Sequence, residues 1–428
     1  MKVLWFSNTP AAALEKIQAA FGLRSSGGWL YVLNKAMEQK VDLHVAFHHP
    51  YRLAPFTHGK SWFHPIYTGN ILIQRLRERI GLLPFYGDMT QRYLDIIHEV
   101  NPDIIHIHGT ESPFLTILER THIPSVVSLQ GNLTVCAHKY CAGFHGRHLR
   151  LPGGRLSLRS LVIGRPTYLK GLRKLKRSSV IERQHLSKAQ QIIGRTDWDR
   201  RITRILAPKS QYCIGHEMLR DRFYSEKWKQ PCALDTGKRV VFTTTSNGYF
   251  KGFETICYAL SLLNALDINV EWRVAGVSED SLIAKVTRRE LGADYPDRGL
   301  MLMGALDEHE LISKMQEASL YVMPSHIENS ANSLCEAMMI GMPCVATFAG
   351  GTGSILSDGK EGILVQDGDP WAMAGAMLEL FRDQEKAARY GAAARRHAHA
   401  RHNRGEILAD LIGIYERVIA KAQRPFSP

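Results

Sequence analysis

Several protein classes are excluded by what the sequence has little of. Its 428 residues hold seven cysteines, a sparse and odd number, which fits reduced thiols better than a disulfide framework. No stretch approaches the roughly 18 uninterrupted apolar residues of a membrane-spanning helix. Only a short apolar run, Val3 to Phe6, follows Lys2. That is too little for the core of a secretory signal peptide, so the N-terminus reads as a first strand. No self-similarity occurs at a solenoid period. No Asp-x-Asp stands at a strand end; Asp367-Gly368-Asp369-Pro370 reads as a turn and a helix start, with Asp369 capping and Pro370 in the first turn. What remains is ordinary globular composition, 45% hydrophobic and 22% charged, which argues against a disordered chain, a collagen or a coiled coil. A single core rarely grows past about 250–300 residues, so the length implies two packed domains.

Acidic residues are also in deficit: 41 Asp and Glu face 54 Lys and Arg, a formal charge of +13. The excess is local. Between residues 120 and 181 there are 12 Lys or Arg and no Asp or Glu, which leaves 42 basic against 41 acidic residues elsewhere. Such a segment implies an anionic partner, whether a membrane surface, a phosphorylated substrate or nucleic acid, or else a solvated face. It lacks the interleaved aromatics of a groove that stacks single-stranded bases, so no nucleic acid is expected as a partner. Cys136, His138, Cys141, His145 and His148 cluster within it. Their spacing matches no common zinc pattern, and a loop with coincidental His and Cys is the preferred reading, with no metal expected.

Short apolar runs alternate with helical patterns along the whole chain. Strands are expected at 3–7, 43–48, 104–108, 125–129, 191–194 and 211–214, then at 239–245, 270–276, 299–303, 320–324 and 344–347. Helices are expected at 28–39, 90–100 and 199–206, then at 253–266, 280–291, 308–318, 332–340 and 371–382, and near the C-terminus at 385–401 and 405–421. Buried apolar runs with intervening helices signal parallel sheets and βαβ units. The fold class is therefore α/β, two doubly wound Rossmann-like domains facing a cleft. Residues 1–225 form the first domain and 226–238 a linker. Residues 239–404 form the second, and 405–428 a helix that returns to the first. Ligands on such sheets bind outside the carboxyl ends of the strands.

The most informative segment is Pro324-Ser325-His326-Ile327-Glu328-Asn329-Ser330-Ala331-Asn332-Ser333-Leu334-Cys335-Glu336-Ala337, which leads on to Gly341-Met342-Pro343. A strand ends at Pro324, a loop carries Glu328, and a helix runs from Asn332 to a Gly stop. A helix N-terminus offers free N–H groups and partial positive charge to a phosphate. Carboxylates on either side of it suit the hydroxyls of a sugar and a ribose. By spacing alone, Ser333-x-x-Glu336 is equally a capping box, and Glu328 alone a solvated loop charge.

This motif, Pro-Ser-x-x-Glu-x7-Glu-Ala-Met-x-x-Gly-x-Pro in the second of two Rossmann-like halves, closely resembles family 4 glycosyltransferases of the GT-B fold. Lys251-Gly252 after the strand ending at Thr245, Arg273-Val274-Ala275-Gly276, Met303-Gly304-Ala305-Leu306 and Asp358 to Val365 resemble further elements of the same family, in the same order. The resemblance implies a retaining enzyme that takes its sugar from a nucleotide-sugar donor, with no cofactor and no metal required. By the same resemblance Glu328 would bind donor-sugar hydroxyls and face the developing oxocarbenium. Lys251 would neutralise the departing diphosphate, and Glu336 would hold the ribose. Asn329, Ser330 and Ala331 would meet the sugar or phosphates, and Leu306 would lie against the base. Gly27 and Gly28 would let a helix start approach the donor phosphates.

Two departures stand out. Many family members carry an Arg five residues before that Lys, where this chain has Ser246. Many also carry a His where this chain has Gln130, in Ser128-Leu129-Gln130-Gly131. Gln cannot act as a base, though it can donate and accept hydrogen bonds. Activity survives this in principle, since in a front-face retaining mechanism the leaving phosphate takes the acceptor proton. His108, ending a strand, either faces the cleft or is a satisfied strand-end histidine. Arg195 would face the cleft on the acceptor or phosphate side, and Asp197 beside it is a natural helix cap. The acceptor is expected to be a glycan or a lipid-linked sugar, in cell-surface polysaccharide or glycolipid assembly. The basic segment would dock on an anionic membrane, placing the protein in the cytoplasm or peripherally on the inner membrane face. The competing readings are an inactive protein of this fold that binds membrane or nucleic acid, and a sugar-nucleotide epimerase.

Overall fold

A computed structural model describes residues 1–13, 17, 28–69, 87–144, 168–229 and 237–423. The expected alternation folds into two sheets. The first holds eight strands: β1 (Lys2–Ser7), β2 (Asp42–His49), β3 (Phe56–His58), β4 (Ser61–Tyr67), β5 (Ile104–His108), β6 (Ser125–Ser128), β7 (Gln191–Gly194) and β8 (Gln211–Ile214). Their spatial order is β3-β4-β2-β1-β5-β6-β7-β8. All pairs are parallel except the β3–β4 hairpin. Among the described residues of this half the helices are α1 (Gly28–Met37), α2 (Gly87–Val100), α3 (Leu133–Lys139), α4 (Tyr168–Leu186) and α5 (Asp197–Leu206).

Strands β3 and β4 are not among those expected from the sequence, and Pro65 sits inside Ser61–Tyr67 although proline is foreign to a central strand. The register resolves this. β3 pairs only with residues 61–63 of β4, so beyond Phe63 that strand is an edge and Pro65 leaves no ladder partner unmet.

A short helix, α6 (Asp221–Ser225), leads into the second half. Its six strands are β9 (Arg239–Thr244), β10 (Val270–Ala275), β11 (Leu300–Gly304), β12 (Leu320–Met323), β13 (Cys344–Thr347) and β14 (Ile363–Val365). They run in the order β11-β10-β9-β12-β13-β14 and all are parallel. This is the doubly wound 3-2-1-4-5-6 order, with a topological switch between β9 and β12. Its helices are α7 (Phe253–Ala265), α8 (Leu282–Leu291), α9 (Glu308–Gln316), α10 (Asn332–Ile340), α11 (Pro370–Arg382) and α12 (Gln384–Arg401), and α13 (Arg404–Gln423) ends the described chain.

The chain changes domain earlier than the composition at 226–238 suggests. Leu219, Phe223 and Trp228 are already buried in the core of the second domain, beside Phe242 and Tyr321. Helix α13 goes the other way: Ile407, Leu411, Ile414 and Tyr415 are buried against Val3, Trp5 and Leu33 of the first domain. Trp5 Nε1 donates to Tyr415 Oη at 3.0 Å, fixing that return by a buried hydrogen bond as well as by apolar contact.

Candidate active site

The carboxyl ends of both sheets face each other, and the loops there carry the singled-out residues. After β9 the chain passes exposed Ser246 and makes a single turn at Tyr249–Lys251. It leaves that turn through Gly252 in the left-handed region, φ +71. A Cβ on Gly252 would stand 2.0 Å from the Pro324 carbonyl oxygen, so the Lys251 turn is pressed onto the end of β12. Gly350 behaves likewise on the other side: φ is +57, and a Cβ would lie 2.0 Å from the Glu328 carbonyl oxygen. The Gly351 N–H donates to that same oxygen at 2.8 Å. Backbone contacts that only glycine permits thus clamp the loop bearing Glu328 from two directions.

Between the clamps Lys251 Nζ meets Glu328 Oε1 at 2.6 Å, and Ser325 Oγ donates to the same oxygen at 2.8 Å. Neither side chain is fully buried, with 25% of Lys251 and 13% of Glu328 exposed. The pair therefore lines the cleft and is not a core ion pair. Helix α10 begins beyond it, and its first residue, Asn332, follows an Ala331 cap that offers no side-chain hydrogen bond. The first turn of α10 has no side-chain cap and carries no acidic residue, an arrangement suited to an anion.

The capping-box reading of Ser333 and Glu336 is corrected by this geometry. The cap falls at Ala331, two residues before Ser333, and Glu336 turns to Arg220 instead. Arg220 Nε donates to Glu336 Oε1 and Nη2 to Oε2, both at 2.8 Å, a bidentate pair. Burial holds the Glu336 carboxyl above the usual carboxylate range in spite of Arg220. Gly28, at the start of α1, packs on the Arg220 stem, where a Cβ would lie 2.8 Å from Cγ. Gly27 lies outside the described residues. Leu306 is half-buried against the second domain's core at the end of β11.

Asn329 and Ser330 join the two domains. Thr196 Oγ1 donates to Asn329 Oδ1 at 2.9 Å, Asn329 Nδ2 reaches the Gln130 carbonyl oxygen at 3.5 Å, and Ser330 Oγ donates to Glu217 Oε2 at 3.2 Å. Thr196, not Asp197, caps α5, with the Asp199 side chain returning to the cap N–H. Arg195 is buried in an ion pair with Glu217 and lies 5.0 Å from the Trp29 ring centroid. Its charge is therefore committed within the first domain.

His108 is buried, and neither ring nitrogen has a hydrogen-bond partner within the protein. Burial, then His106 and Arg195, hold its pKa well below the ordinary value, so the ring is neutral. It borders a cavity of about 280 Å³ lined with Asn8, Trp29, Gln130 and, from the second domain, Asn332. A neutral imidazole, an amide and an indole at the foot of the cleft suit a hydroxylated ligand.

Three residues that brace these loops gave no signal in the sequence: Arg220, Glu217 and Glu182. Glu182 is fully buried and accepts from the N–H groups of Leu133 and Thr134 at 3.0 and 2.7 Å, fixing the loop that follows Gln130. Their contacts with Glu336, Ser330 and Leu133 each span more than 45 residues of sequence, where spacing carries no information. Cys136 and Cys141 are free thiols, the first pushed up to about 11 by burial. Among the described residues no group of three His, Cys, Asp or Glu is placed to share a metal ion, while His145 and His148 lie outside them.

Residues 225–397, most of the second domain, match the family of glycosyl transferases group 1. That segment belongs to the family. The chain is 31% identical over 150 residues to a D-inositol 3-phosphate glycosyltransferase of Thermobispora bispora, covering 35% of this chain and 34% of that one. It is 29% identical over 184 residues to the phosphatidyl-myo-inositol mannosyltransferase of Mycolicibacterium smegmatis, covering 42% and 46%. The chain thus spans less than half the length of these two relatives. Whole-chain similarity is seen in solved structures. Sucrose-phosphate synthase from Thermosynechococcus elongatus superposes with a TM-score of 0.70 at 15% identity, covering 98% and 99% of the two chains. Anabaena HepE in complex with UDP and glucose gives 0.64 at 14%, covering 97% and 99%. At such identities the likeness shows the fold, which is GT-B, and the glycosyl transferases group 1 segment is its second domain.

Proposed function

We propose that the chain is a retaining family 4 glycosyltransferase, with a nucleotide sugar held by the second domain and the acceptor by the first. The observation that carries this is the Lys251–Glu328 pair beside the uncapped start of α10. Lys251 and the α10 N–H groups neutralise the diphosphate as the bond to the anomeric carbon breaks. Glu328, freed from Lys251 by the entering phosphates, accepts from the sugar hydroxyls and faces the positive charge that develops on the ring. The acceptor oxygen attacks from the side the diphosphate leaves, and the leaving phosphate takes its proton, so no side-chain base is needed. Gln130 orients the sugar by hydrogen bonds, and Glu336, kept in place by Arg220, holds the ribose. The family of the second domain and the UDP and UDP-glucose complexes of a protein with the same fold support a nucleotide-sugar donor.

The acceptor reading rests on the cavity at His108 and on charge. Helix α4 presents Lys170, Arg173, Lys174, Lys176 and Arg177 at its exposed surface, a density that favours an anionic lipid surface by about 1 kcal/mol per cation. Among the described residues no helix is long and apolar enough to cross a membrane. A glycan or lipid-linked acceptor in surface polysaccharide or glycolipid assembly fits both features. The experiment is a panel of UDP-, GDP- and ADP-sugars read by slow donor hydrolysis and by protection from thermal unfolding. One donor is expected to be hydrolysed, and a protein that binds no nucleotide sugar would refute the proposal. Flotation with anionic and neutral liposomes tests the surface, and equal recovery with both would remove it.

A further inference from the structure

His326 lies two residues before Glu328 and is buried. Its ring faces a carboxylate at each nitrogen: Nε2 is 2.5 Å from Glu254 Oε1 and Nδ1 is 3.5 Å from Asp367 Oδ2. A neutral imidazole has one N–H and one lone pair, so it would turn a lone pair toward one of these oxygens. Only the imidazolium donates to both. The same Asp367 oxygen takes a hydrogen bond from Lys139 Nζ, on α3 of the first domain, at 3.2 Å. Glu254 stands in the first turn of α7, three residues after Lys251, and the first domain touches it too, since a Cβ on Gly143 would lie 2.4 Å from its Oε1. The His326 N–H donates to the Phe250 carbonyl oxygen at 2.8 Å.

We propose that His326 is a positioning residue: as an imidazolium between Glu254 and Asp367 it holds the Lys251 turn against the Glu328 loop and ties both to the first domain through Lys139. The charged groups that face it are Glu254 from α7, Asp367 from the turn before α11, and Lys139 beyond Asp367; with His326 itself their charges sum to zero. Burial alone would lower the pKa of the ring, but the hydrogen bond and charge of Glu254, then Asp367, raise it above the ordinary histidine value. The clasp is therefore complete at and below about pH 6.5 and opens as the pH rises through that raised pKa. Buried neutral histidines such as His106 and His108 act in the opposite sense and only below about pH 6.5, so the two contributions separate on the pH axis.

The proposal deepens the transferase reading and is tested so that the two can fail separately. The full chain, His326→Gln and Asp367→Asn are compared from pH 6 to 9. Gln keeps a donor for Glu254 without a titrating charge, and Asp367 is 25% exposed, so its amide is expected to fold. Without any substrate, the melting temperature of the wild type is expected to fall above pH 6.5 by more than that of His326→Gln. Parallel curves would overturn the clasp, whatever the enzyme transfers. With the donor selected from the panel, kcat of the wild type should fall over the same pH range. In His326→Gln it should be about 10- to 100-fold lower throughout, without that pH limb and with KM changed far less. An unchanged kcat and pH profile would overturn the positioning role. A wild type that turns over no donor would instead remove the proposed function, leaving the stability curves to decide on the clasp.

Discussion

Arg220 and Glu336 lie edge to edge, two hydrogen bonds of 2.8 Å running in parallel between guanidinium and carboxylate. Arg220 comes from the crossover between the domains, Glu336 from α10, and Gly28 of the first domain closes on the arginine stem. One ion pair thus gathers three distant parts of the chain at the donor side of the cleft. Arg220→Met should leave a buried carboxylate unpaired and cost about 3–5 kcal/mol. It should also raise the Glu336 pKa further, since burial then acts without its opponent. An acid whose folded pKa lies above its unfolded value loses stability as pH rises through that range. The variant should therefore lose more stability relative to wild type at pH 8 than at pH 5, as read by urea unfolding at both.

Lys251 and Glu328 are part-exposed and joined by one short contact, and Glu328 also accepts from Ser325 Oγ. Removing either is expected to change the fold little and the chemistry greatly. Lys251→Ala and Glu328→Ala should each lower kcat by about 10²–10³-fold, the loss typical of one electrostatic contact to a transition state. Melting temperatures should stay close to that of wild type. Full activity in either variant, measured with the donor found in the panel, would remove that residue from the site.

How much of this was legible in the sequence depended on distance along the chain. The α/β class followed from local periodicity, and strands such as Gln191–Gly194 and Cys344–Thr347 appear where their apolar runs stand. The loop with Glu328 and the helix behind it were legible because strand, loop, helix and Gly stop are contiguous. Arg220, Glu217 and Thr196 were not, because each meets its partner across 113 to 133 residues. Glu336 was ambiguous for the same reason: Ser333 lies three residues before it, whereas Arg220 is absent from any local window. The hairpin Phe56–Tyr67 gave no such signal; its Pro65 is tolerated because β3 begins only at Phe56, opposite Phe63, and leaves that side of β4 beyond Phe63 an edge.

Gly350 and Gly359 both have positive φ, +57 and +71, but only Gly350 is crowded. Alanine at either position should cost about 1–2 kcal/mol for the left-handed backbone alone. At Gly359 nothing lies within 4 Å of the added Cβ, so that is the whole expected effect. At Gly350 the Cβ would meet the Glu328 carbonyl oxygen, and the loop must move. Gly350→Ala should therefore destabilise more than Gly359→Ala and lower donor hydrolysis as well, while Gly359→Ala keeps it. Thermal unfolding and turnover of the two variants side by side distinguish strain from displacement.

Tyr415 sits between two buried groups, the Trp5 indole and the His106 imidazole. The Trp5 indole can only donate, so Tyr415 Oη accepts from it, at 3.0 Å. The Tyr415 hydroxyl hydrogen therefore goes to His106 Nδ1, at 2.6 Å. That places the proton of His106 on Nε2, where it donates to Ser128 Oγ at 2.6 Å. Burial lowers the His106 pKa to about 3, which keeps this neutral tautomer across the working pH range. The chain of bonds runs from α13 through β5 to the end of β6, two residues before Gln130. Tyr415→Phe keeps the ring packing but strands a buried donor on Trp5 and a buried acceptor on His106. At about 1–3 kcal/mol for each unsatisfied group, a loss of roughly 2–6 kcal/mol is expected. It should appear as a lower urea midpoint at unchanged slope, since the surface exposed on unfolding is the same. A midpoint equal to that of wild type would mean that α13 is held to the first domain by apolar contact alone.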